Sequence, residues 1–323
     1  MAGIENLKHP AILFFILGFI ATLIKTEIKF PEQIAKGLSY FLMIAIGFKG
    51  GAEIAKSGIN ESLFLSTGLS IFLASLIPVM AFFLLKTFLK TDAINAGALA
   101  AHYGSVSVVT FVTATAYLGR QNVDYSGFMV GMIAVMEFPA ILIGLGLAKY
   151  FGDIREKEFD VKNLIRESLT NESVVILAGA MLIGFVSGEN GYKLTRPLFV
   201  DAFPGILTFF LLEMGVLSAK KISDFRLAGV KIILFGIFFP LFNGIFAAVI
   251  CALFNLSPGN ATLFAVLAAS SSYIAAPAAV RLVLPQANPS IYLTSSLAVT
   301  FPFNIILGIP VYYLAAVQFT GMF

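Results

Sequence analysis

The chain of 323 residues is 59% hydrophobic and 12% charged with a net charge of +3, and its mean hydropathy is +0.93. A soluble domain carries about 25% charged residues, so the composition excludes one and points to an all-α polytopic membrane protein in a lipid bilayer. Charge so close to balance gives no footprint for nucleic acid, and the single cysteine, Cys251, rules out an intrachain disulfide.

Hydrophobic runs, read at about 20 residues per span, predict ten transmembrane helices. They lie near 10–24, 37–55, 62–86, 93–118, 125–150, 173–187, 201–219, 230–254, 261–284 and 290–318. The first follows a short polar N-terminus with no small-residue cleavage site and is read as an uncleaved span. The polar stretch 151–172 separates a first five-helix repeat, 9–150, from a second, 173–323. The halves match in sequence. Phe41–Gly47 pairs with Phe209–Gly215, and at the same spacing Leu99-Ala-Ala pairs with Leu267-Ala-Ala. Glu137-Phe138-Pro139 then pairs with Thr300-Phe301-Pro302 after a few residues drop out. An odd number of spans per half makes the repeats inverted. Positive charge points the same way. Of the 21 Lys and Arg, only Lys8, Lys49, Lys56, Arg120, Lys193 and Arg196 fall on the side that holds both termini. The 151–172 linker is therefore expected in the cytoplasm and both termini outside.

Two spans carry polar clusters at mid-depth. In span 4, His102-Tyr103-Gly104-Ser105-Val106-Ser107 interrupts a hydrophobic run, and in span 9 Ser270-Ser271-Ser272-Tyr273 precedes Pro277. Gly104 tolerates off-helix backbone, and Ser105 is expected to cap a new helix start. Pro277 cannot donate its N–H and crowds the carbonyl at Tyr273. Interrupted spans at matching positions of two halves mark a transporter's binding site. Inversion would bring the broken helices 4 and 9 to cross at the midplane. Half-helix N-termini there suit a small anion, and freed carbonyls and hydroxyls suit Na⁺. Gly104, Ser105, Ser107, Ser270, Ser271 and Ser272 are the expected substrate-binding residues, set against the plainer reading that small residues let membrane helices pack closely.

Glu137 stands inside span 5 with no complementary charge nearby in sequence, and intramembrane carboxylates are commonly functional. It is the expected cation ligand. Glu213 in span 7 is assigned to a gate, and Lys49 to an anion entrance or an ordinary snorkelling role. His102 is read as a proton relay or a satisfied buried imidazole. No catalytic reading stands. His9 and His102 are the only histidines, and no His-Glu-x-x-His, phosphate-binding Gly-Lys-Ser/Thr or paired Cys/His spacing occurs. No cofactor and no metal beyond Na⁺ is expected, and without a nucleotide motif an ion gradient must drive uphill transport.

Several segments resemble one family, the sodium-dependent bicarbonate transporters. They are Ala100–Ser107, Glu137–Ala140, Ala268–Pro277, Pro285–Ser290 and Gly47–Gly51. The resemblance covers essentially the whole chain. It implies a core of spans 3–5 and 8–10 and a gate of spans 1, 2, 6 and 7. It also implies a homotrimer in the plasma (inner) membrane and Na⁺-coupled uptake of bicarbonate, a small inorganic anion. Tyr273 and Thr300 join Glu137 as cation-binding residues on this reading. Cyanobacterial-type members have Asp at the positions of Tyr273 and Glu137. They also have a longer central loop and a PII-like regulator, whereas the connection here is short. Other expectations for the same sequence are a symporter of another small carboxylate or oxyanion, and a non-transporting membrane receptor or scaffold.

Overall fold

The computed structural model describes residues 7–322 apart from 27, 29, 59, 153–165, 167–169, 171 and 223–228. Most of the polar linker and any expectation attached to it therefore lie outside the described residues. Those described form helices and no strand. In chain order they are α1 (Pro10–Leu23), α2 (Glu32–Ser57), α3 (Glu61–Phe83), α4 (Ala93–Gly104), α5 (Val108–Arg120) and α6 (Met129–Phe151). The second part holds α7 (Glu172–Arg196), α8 (Phe203–Ile222), α9 (Val230–Leu253), α10 (Pro258–Ala269) and α11 (Ala275–Val283). The last helix, α12, runs over Pro289–Thr320.

Eight of these segments are long and apolar enough to cross a membrane, α4 and α5 counting together as Ala93–Arg120. The shorter apolar helices are α1 and α10. At 1.5 Å per residue, the 14 residues of α1 reach about 21 Å, less than the roughly 30 Å of a hydrocarbon core. Helix starts follow ordinary capping chemistry. Asn60 accepts the Leu63 N–H at 3.1 Å, Asp92 the Asn95 N–H at 2.9 Å, and Asn288 the Ser290 N–H at 3.0 Å. Proline opens α1, α10 and α12, where its missing N–H costs nothing.

The segment expected at 173–187 ends at a break: Gly188 (φ 55°, ψ −151°) is non-helical, in a conformation open to glycine. A second helical stretch follows it through the polar residues to Arg196, and α7 names the two together.

Helix pairing is selective. α1 packs chiefly along α8, and α2 along α7; a second group joins α3, α4 and α6, and a third α9, α10 and α12. Both of the first two pairings rest on glycine. A Cβ at Gly18 would strike the Leu212 carbonyl of α8, and one at Gly215 the Phe15 carbonyl of α1. In the other pair Gly47 meets the Leu177 carbonyl and Gly184 the Phe48 carbonyl. Backbones approach this closely only where a side chain is missing on each partner.

Candidate functional site

The polar cluster of span 4 is a true interruption. α4 stops at Gly104, Ser105 is extended (φ −81°, ψ 160°), and α5 starts after Ser107. The expected cap is displaced by two residues. Ser107, not Ser105, caps α5, its Oγ accepting the Thr110 N–H at 3.2 Å and the Thr110 hydroxyl at 2.9 Å. Ser105 instead ends α4, donating its N–H to the Ala101 carbonyl at 3.3 Å. Its own hydroxyl is buried without a partner among the described residues.

The second interruption spans 270–274, between α10 and α11. Pro277 lies in the first turn of α11, so it starts a helix rather than breaking one. The Ser272 hydroxyl stands nearby and accepts the Ala276 N–H at 3.3 Å.

The two interruptions touch. Ser107 donates its backbone N–H to Ser270 Oγ at 3.0 Å, and that hydroxyl donates to the Leu267 carbonyl at 2.9 Å. In the other direction the Ser272 N–H donates to the His102 carbonyl at 2.9 Å. Each break thus satisfies backbone groups that the other leaves open, as an apolar surrounding demands. Ser271 faces elsewhere, sharing a hydrogen bond of 2.7 Å with Ser296 of α12.

Where these segments meet α6 there is a cavity of about 10 Å³ lined by Ser107, Ser272, Tyr273 and Glu137, with Val106, Val108 and Ile274 completing the wall. That is room for about one water-sized occupant. Glu137 is 5% exposed, and no described side chain or N–H bonds to its carboxylate; burial alone acts on it. Tyr273 shares this wall with Ser107, and its hydroxyl is buried without a hydrogen-bond partner among the described residues.

Not every expected residue converges there. Thr300 is committed elsewhere, donating to the Gly236 carbonyl of α9 at 2.7 Å and bonded at 2.7 Å to the Tyr103 hydroxyl. Tyr103 also reaches Ser295 at 2.6 Å, so this network ties α4 to α9 and α12. Gly104 does not open onto the small cavity either. A Cβ there would lie 2.8 Å from Ala140 Cβ and 2.8 Å from Pro78 Cδ, so its smallness serves the contact of α4 with α3 and α6. Lys49 lines a separate cavity. His102 donates Nδ1–H to the Ala98 carbonyl at 2.7 Å and lies tilted against Tyr292, with ring centroids 4.5 Å apart. Its Nε2 is buried without a partner among the described residues.

Residues that the sequence reading missed complete the surroundings. Asn304 donates to the Ala269 carbonyl at 2.7 Å, at the open end of α10, and accepts from Tyr312 at 2.9 Å. Around it α12 widens into π-helical turns over Thr294–Thr300 and Asn304–Gly308, a form often found at functional sites. An asparagine inside an apolar span was the available signal.

No individually curated protein matches the chain. The sequence profile of the Na⁺-dependent bicarbonate transporter superfamily matches residues 10–317. With the match running from α1 into the last turns of α12, and so across both interruptions and Glu137, the chain belongs to the Na⁺-dependent bicarbonate transporter superfamily.

Proposed function

We propose that the protein is a secondary active transporter that couples Na⁺ entry to uptake of a small anion, bicarbonate, by alternating access. The anion binds where the α4–α5 and α10–α11 interruptions meet, using Ser105, Ser107, Ser270 and Ser272. Na⁺ binds at Glu137, with Tyr273 and the hydroxyls of Ser107 and Ser272. The single observation that carries this is a buried carboxylate with no bonding partner among the described residues, facing serines of both interruptions across a cavity the size of one small occupant. An unpaired buried charge costs several kcal/mol, and a cation seated there offsets that cost. Thr300 enters the proposal only as a support for Tyr103, because its hydroxyl is already shared between α9 and α4.

The same proposal takes the chain as ten spans in two inverted five-helix repeats, 9–150 and 173–323. α1, α2, α7 and α8 form the gate, with Glu213 on it, and the remaining helices form the core. The glycine contacts support this. Gly47 and Gly215 are equivalent by the sequence match, and each packs on the first helix of the opposite half. An orientation with both termini outside and 151–172 in the cytoplasm of a plasma-membrane protein rests on the Lys and Arg distribution. A homotrimer rests on the family resemblance.

Uptake into proteoliposomes under an imposed Na⁺ gradient tests the proposal. Labelled bicarbonate should accumulate only while the gradient lasts. Accumulation of a small carboxylate alone would make the protein a different symporter, and binding without accumulation would make it a receptor.

A further inference from the structure

A second cavity, of about 300 Å³, lies apart from the serine site, between the start of α1, the middle of α2, the end of α5 and the start of α8. Three basic side chains line it, His9, Lys49 and Arg120, and among the described residues no carboxylate does. Much of the remaining wall is apolar, notably Phe199, Phe203 and Leu207. The two permanent cations are steadied on aromatic rings. Lys49 Nζ stands 5.4 Å from the Tyr125 ring centroid, and the Arg120 guanidinium carbon 5.3 Å from that of Tyr117. Lys49 also reaches Glu53 at 3.9 Å, with both side chains over a third exposed; such a pair is weak and leaves the ammonium open to another anion. His9 uses Nδ1 to accept the Ala11 N–H at 3.3 Å. Burial, and then the Arg120 guanidinium, hold this imidazole down at about 4. It is therefore neutral near pH 7, with its proton on Nε2 as a donor.

The volume is at the lower end of the range for organic-ligand pockets, about 300–1,000 Å³, and far exceeds the needs of a four-atom inorganic anion. Apolar walls would strip water from such an ion without replacing its hydrogen bonds. We infer that this cavity binds an organic monocarboxylate with an apolar body, its carboxylate held by Lys49, Arg120 and His9 and its body lying against Phe199, Phe203 and Leu207. The occupant would bridge α2 to α5, so it would act as a wedge between the two helices rather than as the transported anion.

Calorimetric titration of the full-length protein in lipid nanodiscs, with empty nanodiscs subtracted, tests this without requiring transport. A linear series from acetate to hexanoate is the probe. Affinity should rise by up to about fourfold per methylene buried. The double variant Lys49→Gln/Arg120→Gln should lose tenfold or more, and Lys49→Arg should retain binding. Elution volume and melting temperature report whether each variant is folded. Affinity independent of chain length, wild-type affinity in a folded double variant, or no binding to the wild type would overturn the inference. Because the readout is binding, its failure would leave the transport proposal standing, and the failure of transport would leave this site standing.

Discussion

Glu137→Gln separates a cation ligand from a structural carboxylate, because the two readings differ in sign. The wild-type side chain is 5% exposed and receives no bond from any described group. Without Na⁺, an ionised carboxylate in that position costs several kcal/mol, whereas a buried amide costs roughly 1–3 kcal/mol. The variant should therefore be at least as stable as the wild type in choline. Na⁺ at a hundred times its dissociation constant should stabilise the wild type by about 2.7 kcal/mol. Replacing the charged acceptor removes about 1.5–3 kcal/mol of that interaction, or roughly 10- to 150-fold in affinity. At the same Na⁺ concentration the variant would then gain only about 0.3–1.4 kcal/mol. Unfolding of purified protein in nanodiscs, in Na⁺ against choline at equal ionic strength, measures both quantities. Equal stabilisation of the two proteins by Na⁺ would refute the assignment, and so would a variant much less stable than wild type in choline.

Ser270→Ala leaves the buried Ser107 N–H without its acceptor and should cost about 1–3 kcal/mol, whereas Ser271→Ala loses one shared hydroxyl bond and should cost about 1 kcal/mol. Denaturant unfolding of the two variants side by side checks the order. Gly104→Val would push Pro78 and Ala140 apart and should destabilise by about 1–3 kcal/mol or more; loss of uptake in it reports packing, and a melt at the wild-type temperature would contradict the contact. In a Cys251→Ala background a single cysteine replacing exposed Lys193 should react with an impermeant thiol reagent from outside intact cells, and one replacing exposed Lys90 should not. The native thiol is buried, and the reverse pattern would invert the proposed orientation.

The two interruptions were legible in the sequence because glycine with serines in the first, and a run of three serines ahead of Pro277 in the second, weaken the helix at the centre of an apolar run. Which serine does what was not legible. Ser105 and Ser107 are equally good caps by type, and the choice falls to Ser107 because α4 keeps its helical bonds up to the Ser105 N–H. Thr300 is expected at the cation site on the family resemblance. Its hydroxyl is captured by Tyr103 and the Gly236 carbonyl, contacts between distant parts of the chain with no local signature. Gly104 is expected among the substrate-binding residues for its off-helix backbone, and only the fold shows that a side chain there would meet Pro78 and Ala140. The second helical stretch of α7, after the break at Gly188, carries no hydropathy signal, because hydropathy measures preference for lipid and that stretch is polar.

The glycine-to-carbonyl contacts also constrain how the molecule can be made. α1 and α2 leave the ribosome first, yet their close partners, α8 and α7, are translated after the 151–172 connection. Until then their glycine faces have only lipid, or the insertion machinery, to lie against. The helices α3, α4 and α6, by contrast, have partners within their own half. Assembly is thus expected in two stages, with local docking during synthesis and a late interlocking of the first two helices with the second half. Cutting the gene within the linker and co-expressing both pieces would expose that order. The pieces should recover together as one particle, while the N-terminal piece alone should be degraded.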